Sequence, residues 1–337
     1  MYKENDVYII AEIGGNHEGN IANAIHLVNE AIESGVDAIK LQIYTGESIV
    51  NKKYDHKRVE HFNKFALSSN QYHDLAKLII ENNIDFIASV WSYELLDEFV
   101  EYMPFIKVGS GDLTTLQFLK KISGYNKPIL LSSGLSTLDD IKLSVDYIKK
   151  CNSIYLKEKM LGILQCTSMY PIPDNEANLN CIHTLKANFQ EYIIGYSDHT
   201  NSTYAAEIAV SMGAEILELH FTSSKFQKNN FRDHLVSFTS KEIHILKEKI
   251  NVIKNLQGSY KKSITSSELS NNHQHSFKRG LYYSRSLVKG TMLKENDITS
   301  LRPLNSTPDF MFEKVLGKIL TKDVDQLSSI NFDDLRS

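Results

Sequence analysis

The stretch Ala-Ile-Lys-Leu-Gln-Ile-Tyr at residues 38–44 combines an apolar run with two polar side chains, Lys40 and Gln42. It follows residues 20–34, where apolar side chains recur at the spacing of an amphipathic helix. A short apolar run beside a helical segment is typical of a parallel sheet that helices cover on both faces. Eight such runs occur in the first 221 residues, at 7–13, 38–44, 85–91, 105–109, 128–132, 161–167, 192–196 and 215–221.

Eight strand-then-helix units most simply close into a TIM barrel, a (β/α)8 fold of ~250 residues. An open, doubly wound α/β sheet is the alternative. Residues 240–256 predict one more helix, and the chain beyond it alternates strand-like pieces, such as 284–290 and 315–320, with turn residues. We therefore predict an α/β protein with a TIM-barrel domain at 1–258, a linker at 259–275 and a small β-rich domain at 276–337.

The composition predicts an ordinary globular protein, with 42% hydrophobic and 23% charged residues among 337 and a net charge of -4. We expect no nucleic-acid partner, because neutralising many phosphates needs a basic face. We also expect no membrane segment, since no run approaches the ~20 apolar residues that cross a bilayer. The absence of a signal-peptide pattern and of a CxxC pair among Cys151, Cys166 and Cys181 predicts a reducing, cytoplasmic location.

Polar residues stand at the predicted strand ends. Because the active site of such a barrel lies at the carboxyl ends of its strands, these residues are the candidates for chemistry. In chain order they are Glu12, Lys40, Ser89, Lys107 with Ser110, Ser132, Ser168 with Tyr170, His199, and Glu218 with His220.

Each candidate also has a structural interpretation. Lys40 could extend its ammonium to a strand end, residues 109–111 could form a simple tight turn, and the histidines could be hydrogen-bonded structural residues. At one opening of the barrel, however, the lysines, hydroxyls and glycine turns together would supply the cations and hydrogen-bond donors that a phosphate and a carboxylate need. His199 and His220 on adjacent strands, with Glu218 on the same strand face as His220, suit a divalent ion such as Mn²⁺, Zn²⁺ or Fe²⁺.

An ordered series of short motifs runs through the chain. The motifs are AEIGGNHEG at 11–19, AIKLQIY at 38–44, FIKVGSGDL at 105–113, ILLSSG at 129–134, CTSMYPIP at 166–173, GYSDHT at 195–200, ELHFT at 218–222 and SLRP at 300–303. In this order they closely resemble the sialic acid synthase family. Its members consist of a TIM barrel and a C-terminal antifreeze-like (SAF) domain and form domain-swapped homodimers. The resemblance implies that residues 276–337 are the antifreeze-like domain, which covers the partner's active site.

The resemblance also implies a reaction. Phosphoenolpyruvate would condense with an amino-sugar aldehyde of the N-acetylmannosamine type, its C3 attacking the aldehyde carbon while a metal polarises the aldehyde oxygen. Water would then add at C2, and phosphate would leave by C–O cleavage. Glu218 is the candidate for activating water or stabilising the cationic C2, and Glu12 for orienting the sugar, although the sequence alone does not divide these two roles.

By the same resemblance the site residues fall into overlapping groups. Phosphoenolpyruvate would bind Lys40, Ser89, Lys107, Ser110, Ser132, Ser168 and Tyr170. The metal, Mn²⁺ with Mg²⁺ or Co²⁺ as alternatives, would bind His199 and His220. The sugar would contact Glu12, Tyr170, Asp233 and, from the other subunit, Arg302. The catalytic group would be Glu12, Lys107, His199, Glu218 and His220.

Two positions depart from the family pattern. Ser168 stands where the family usually has Asn, and it would reach phosphoenolpyruvate through a water. Residues 230–234 read Asn-Phe-Arg-Asp-His where the family normally has Gly-Pro-Asp-His. Since this loop should border the sugar, we expect an altered aldose specificity with the condensation retained.

Two other functions are alternatives. A 3-deoxy-ulosonic acid synthase would use a sugar phosphate, for which Arg232 and Lys228 would supply a basic pocket. A catalytically silent carbohydrate-binding homologue would have lost several of the candidate residues at the strand ends. Within the first interpretation, the sugar remains open between N-acetylmannosamine and its diacetamido-trideoxy relatives, the precursors of legionaminic- and pseudaminic-type acids.

Overall fold

Eight parallel strands, β1 to β8, form one sheet in the computed structural model, which describes residues 6–157, 159–225 and 231–337. Their hydrogen-bonded order is β3-β2-β1-β8-β7-β6-β5-β4, and the two outermost strands, β3 and β4, contact each other. This arrangement is the predicted TIM barrel and excludes the open sheet. The strands are β1 (Tyr8–Glu12), β2 (Ala38–Ile43), β3 (Asp85–Val90), β4 (Ile106–Val108), β5 (Ile129–Ser132), β6 (Leu161–Cys166), β7 (Ile193–Asp198) and β8 (Ile216–His220).

Ten α-helices accompany the strands in the described part of residues 1–258, which form one of the two units into which the chain divides. Asn20 begins the first by accepting hydrogen bonds from two backbone amides of its first turn. The predicted helices at 20–34, 205–212 and 240–256 are confirmed to within two residues. The helices are α1 (Ile21–Glu33), α2 (Gly46–Ile49), α3 (His56–Phe65), α4 (Ser69–Glu81), α5 (Tyr93–Phe99), α6 (Leu116–Ser123), α7 (Leu138–Cys151), α8 (Cys181–Asn188), α9 (Tyr204–Ser211) and α10 (Ser240–Gln257).

The interior of the barrel is a separate apolar cluster with one residue from each strand or the position just before it. Its members are Ile10, Ala38, Ile87, Phe105, Leu130, Leu164, Ile193 and Ile216. Successive side chains of a strand point to opposite faces, so residues two positions further along also point inward. Those residues are Glu12, Lys40, Ser89, Lys107, Ser132, Cys166, Gly195 and Glu218. Six of the predicted site residues therefore follow from the position of the apolar layer: Glu12, Lys40, Ser89, Lys107, Ser132 and Glu218.

Strand register brings side chains of different strands to the same level. Glu12 of β1 is the Cα partner of Lys40 on β2 and of His220 on β8. On the next pair of strands, Ser197 of β7 is the partner of Glu218 on β8. A shift by one residue would turn every one of these side chains to the opposite face.

The second unit, residues 259–337, contains two small antiparallel sheets. Strand β9 (Gly280–Tyr283) pairs with β10 (Ile298–Leu301), and β11 (Ile319–Leu320) pairs with β12 (Leu335–Arg336). The helices here are α11 (Ser266–Ser270), α12 (His273–Phe277) and α13 (Phe312–Val315), and the first two begin within the predicted linker. The core of this unit consists of Leu281, Tyr283, Leu287, Leu293, Ile298, Val315, Leu320, Val324 and Ile330.

Two strand predictions in the second unit were wrong in detail. Residues 284–290 make only an isolated bridge, between Leu287 and Val324. In the stretch 315–320, Val315 ends a helix and only Ile319–Leu320 is a strand. Both stretches place their apolar side chains in the core, and a short apolar run does not reveal whether it is helical or extended.

No helix in the described ranges is long and apolar enough to cross a membrane.

Replacing Leu130 by Ala should weaken the barrel interior, where this side chain is fully buried. We expect the free energy of unfolding to fall by about 2–5 kcal/mol, as for other buried Leu-to-Ala changes that leave a cavity. Leu256→Ala on α10, where the side chain is 81% exposed, is the control and should change it by no more than about 0.5 kcal/mol. Urea unfolding followed by circular dichroism measures both, and equal losses would contradict the assignment of the interior layer.

Candidate active site

A cavity of about 1040 Å³ opens at the carboxyl ends of the barrel strands. Every predicted site residue of the first unit lines it, namely Glu12, Lys40, Ser89, Lys107, Ser110, Ser132, Ser168, Tyr170, His199, Glu218, His220 and Asp233. The remaining predicted residue, Arg302, belongs to the second unit, where its guanidinium lies 5.7 Å from the ring centroid of Phe277. The structure thus brings together residues that are up to 221 positions apart in the chain.

Four buried charges form the centre of the cavity. Lys40 Nζ lies 2.6 Å from Glu12 Oε2 and 3.5 Å from Glu218 Oε2, and Lys107 Nζ also lies 3.5 Å from Glu218 Oε2. Each of these side chains is no more than 7% exposed. Because an isolated charge is very costly to bury, each of the four depends on its oppositely charged neighbours.

Hydroxyl groups surround the two ammonium groups. Lys107 Nζ donates to Ser132 Oγ at 2.7 Å, and Lys40 Nζ donates to Ser89 Oγ at 3.4 Å. The hydroxyls of Ser110 and Ser168 converge on Gly134, since a Cβ on Gly134 would lie 2.7 Å and 2.3 Å from them. Only glycine fits there, and the result is a cluster of donors next to two cations, as anion sites require.

The surroundings of the two glutamates shift their pKa values in opposite directions. Burial by itself would raise the pKa of Glu218, but the ammonium groups of Lys107 and Lys40 lower it to about 2. Burial raises the pKa of Glu12, because Lys40 only partly offsets it and the charge of Glu218 adds to it. Burial also lowers the pKa of Lys107. Glu218 is therefore a permanent anion, whereas Glu12 is the carboxyl group that can take up a proton.

The two histidines lie side by side, with ring centroids 5.3 Å apart. His199 Nδ1 lies 2.8 Å from the carbonyl oxygen of Thr167, to which it donates, so that Nε2 keeps a free electron pair. His220 Nδ1 is buried without a hydrogen-bond partner in the described part of the chain, 3.9 Å from Asp233 Oδ2. Burial lowers the pKa of both imidazoles, so both are neutral at pH 7.

This pair fits a divalent metal ion. Neutral imidazole nitrogens, one of them buried and unpartnered, are the donors that Mn²⁺ and similar ions accept. Within residues 6–157, 159–225 and 231–337, no group of three or more His, Cys, Asp or Glu side chains is arranged to hold an ion. An ion held by these two imidazoles would have its other positions open to substrate and water.

Hydrogen bonds tie the loop after β8 to the loop after β1. Asn16 Nδ2 donates to the carbonyl oxygen of Phe221 at 2.8 Å and to Ser237 Oγ at 2.9 Å. Ser237 Oγ in turn donates to the carbonyl oxygen of Asp233 at 2.6 Å, and His234 Nδ1 lies 2.8 Å from Thr222 Oγ1. These contacts hold Asp233 beside His220. Lys228 and Asn230, also named in the sequence predictions for this loop, lie outside the described residues.

Several lining residues were given no role by sequence analysis. Gln42 Nε2 donates to Glu12 Oε1 at 2.8 Å, and Ser197 Oγ donates to Glu218 Oε1 at 2.9 Å. Both lie two positions from another inward-facing residue, so strand alternation was a usable signal. No sequence signal pointed to helix α3, which contributes four residues to the cavity rim: Arg58, His61, Phe62 and Phe65.

The similarity to known proteins agrees with the geometry. The profile of the NeuB family matches residues 27–262, more than half of the chain. The chain belongs to the NeuB family. This confirms the resemblance to sialic acid synthases that the motifs predict.

Named NeuB-type relatives match nearly the whole chain. An N,N'-diacetyllegionaminic acid synthase of Campylobacter jejuni is 31% identical over 93% of this chain and 96% of its own. The N-acetylneuraminate-9-phosphate synthase of Homo sapiens is 30% identical over 93% of this chain and 88% of its own. Among solved structures, the N-acetylneuraminic acid synthetase of Leptospira borgpetersenii, in complex with citrate, superposes with a TM-score of 0.72 at 28% identity. That match covers 80% of this chain and 91% of the other.

Glu218→Gln should destabilise the protein in a pH-dependent way. The folded pKa of Glu218, about 2, is below its ordinary value of 4.5, so its charge contributes stability above about pH 5, and this contribution is lost as pH falls toward 2. We expect the loss of unfolding free energy caused by Glu218→Gln to be larger at pH 7 than at pH 4, as measured by urea unfolding.

Glu33→Gln, at an exposed position of α1, is the matched control and should show no such difference between the two pH values. A Glu218→Gln effect of equal size at both would contradict the ion pairing of this carboxylate.

Proposed function

We propose that this protein is a nonulosonic acid synthase that condenses phosphoenolpyruvate with the open-chain aldehyde of an amino sugar and releases phosphate. The observation that carries the proposal is the buried set of Lys40, Lys107, Glu12 and Glu218 beside two neutral histidines in one cavity. Membership of the NeuB family and relatives named as synthases of sialic-type acids support it. Retention of all these groups argues against a silent homologue.

Phosphoenolpyruvate would bind at the two lysines. Its phosphate and carboxylate would accept hydrogen bonds from Lys40 and Lys107 and from the hydroxyls of Ser89, Ser110 and Ser132. Ser168, which packs at Gly134 beside Ser110, would complete this set. Because the lysines are already neutralised by two carboxylates, the incoming anion adds negative charge, and Glu12 is the group that would take up a proton in response.

The reaction then forms one C–C bond and breaks one C–O bond. C3 of phosphoenolpyruvate attacks the aldehyde carbon, whose oxygen takes up a proton, and water adds to the cationic C2 before phosphate leaves. Glu218, permanently ionised, would stabilise that cation or receive the proton of the attacking water. Glu12, oriented by Gln42, would hold the sugar and supply a proton near the aldehyde oxygen.

We propose Mn²⁺, with Mg²⁺ or Co²⁺ as alternatives, as the ion held by His199 and His220. When bound, it would supply Lewis-acid polarisation of the aldehyde oxygen. The bond from His199 Nδ1 to Thr167 supports this role, since it orients the imidazole for ligation.

We further propose that residues 276–337 act as an antifreeze-like domain, joined through 259–275, in a domain-swapped homodimer where Arg302 reaches the partner's substrate. The support is the exposure of Arg302, whose guanidinium lies 5.7 Å from the ring centroid of Phe277. A cytoplasmic location, supported by three free cysteines, completes the proposal.

Phosphate release from phosphoenolpyruvate in the presence of Mn²⁺ tests the function. N-acetylmannosamine, a diacetamido-trideoxyhexose and arabinose 5-phosphate serve as separate acceptors, and we expect release with an amino sugar. Lys107→Met should reduce this rate by at least about 100-fold, because it removes a buried cation from the charge-stabilising set. Lys77→Met, on the exposed side of α4, is the control.

Release with arabinose 5-phosphate alone would identify a 3-deoxy-ulosonic acid synthase instead. No release with any acceptor would overturn the proposal.

The metal site is tested by direct binding. Electron paramagnetic resonance titration should show one Mn²⁺ bound by the wild-type chain and at least about tenfold weaker binding by the His199→Ala, His220→Ala double variant, since both protein ligands are lost. His244→Ala, an exposed histidine on α10, should bind as the wild type does. Unchanged affinity in the double variant would exclude these two ligands.

A further inference from the structure

Arg232 occupies an unusual position at the rim of the cavity. Its guanidinium carbon lies 4.7 Å from the ring centroid of Tyr170, and its Nε donates to Asp233 Oδ1 at 3.2 Å. The side chain is 67% exposed and lines the cavity. Among the described residues, none accepts a hydrogen bond from its two terminal amino groups. Arg232 is thus anchored by its ring contact and by Nε, while its terminal donors remain available.

The loop that carries Arg232 is fixed by the preceding residue. The ring of Phe231 lies against Gly15 so closely that a Cβ there would be 2.6 Å from a ring carbon. The same ring also packs against that of Phe65 on α3, with centroids 4.9 Å apart and the planes tilted by 46°. These contacts, together with the bond between Ser237 and the Asp233 carbonyl, hold the guanidinium at a defined place.

The ring of Tyr170 contacts both this guanidinium and the two histidines. The Tyr170 ring centroid lies 4.1 Å from that of His199 and 5.6 Å from that of His220, the latter in an edge contact. In the proposed reaction the aldehyde carbon of the acceptor lies at the histidines. Because C2 of the acceptor is bonded to that carbon, its substituent would lie beside Tyr170 and within reach of Arg232.

The chemistry of this place fits an acylamido group. Its carbonyl oxygen would accept from the guanidinium, and its methyl group would contact the edge of an aromatic ring. A free ammonium group would be repelled by Arg232, and a hydroxyl group would gain no apolar contact. A phosphate is a poorer match, since Asp233 already balances the charge of Arg232.

We propose that Arg232 is a specificity-determining residue that, with Tyr170, selects acceptors with an acylamido substituent at C2. The proposal rests on the proposed function and adds the group that the loop recognises. Arg232 acts by binding the substrate, and the bonds made and broken in the condensation are unchanged.

The test compares two acceptors that differ only at C2: the amino sugar that the wild-type chain uses and its hydroxyl analogue, which for N-acetylmannosamine is mannose. Arg232→Ala should lower kcat/KM for the amino sugar by about 10- to 100-fold, the usual effect of losing a hydrogen bond to a charged group. It should lower kcat/KM for the analogue by less than about threefold, and it should leave the KM for phosphoenolpyruvate unchanged.

Two further variants sharpen the comparison. Arg232→Lys keeps the charge but loses the planar donor pair, so its preference between the two acceptors should fall between those of wild type and Arg232→Ala. Lys241→Ala removes an exposed cation on α10 and should behave as wild type.

Equal losses with both acceptors, or no loss with either, would overturn the role of Arg232 while leaving the synthase function intact. Absence of phosphate release by the wild-type chain with any acceptor would overturn the proposed function, and this inference with it.

Discussion

The structure depends on one constraint, the mutual neutralisation of Lys40, Lys107, Glu12 and Glu218 in the barrel interior. Four ionised groups taken out of water would be strongly destabilising if any one lacked its counter-charge. Their pairing requires that β1, β2, β4 and β8 keep their register, because ammonium and carboxylate groups must meet within 2.6–3.5 Å. The four charges therefore restrict the strand registers that are stable, and the strand registers in turn position the four charges.

The apolar layer beneath these charges fills the barrel and also strengthens the electrostatic interactions above it. Strand alternation puts a residue of this layer two positions before six of the site residues, all four charged ones included, and the layer excludes water from one side of the cavity. Electrostatic interactions are stronger in such surroundings than in water, which is why two chemically identical carboxyl groups titrate so differently. The separation of Glu12 and Glu218 into a proton acceptor and a permanent anion follows from their distances to two lysines. It does not follow from residue type.

Specificity is built by other parts of the chain. The reacting groups belong to strand ends, which are rigid, whereas the surroundings of Tyr170 are completed by the loop after β8 and by α3. These segments are joined to the barrel by side-chain contacts such as Phe231 with Phe65 and Asn16 with Ser237. Substitutions in these segments can alter which sugar fits without moving the charged centre, and this is where the chain departs from the family pattern.

The sequence by itself determined the eight strands, the barrel and the charged and histidine residues at the centre of the cavity, because apolar runs of strand length and polar residues at their ends are local patterns. The ordered motifs added the family and its reaction. Only the tertiary structure decided that α3 borders the cavity and that Gln42 orients Glu12. It also decided that Val315 enters the core of the second unit from a helix and that Arg232 lies over the ring of Tyr170. These features depend on contacts between side chains that are not neighbours in the chain, such as Gln42 with Glu12 and Arg232 with Tyr170, and no local pattern encodes such contacts.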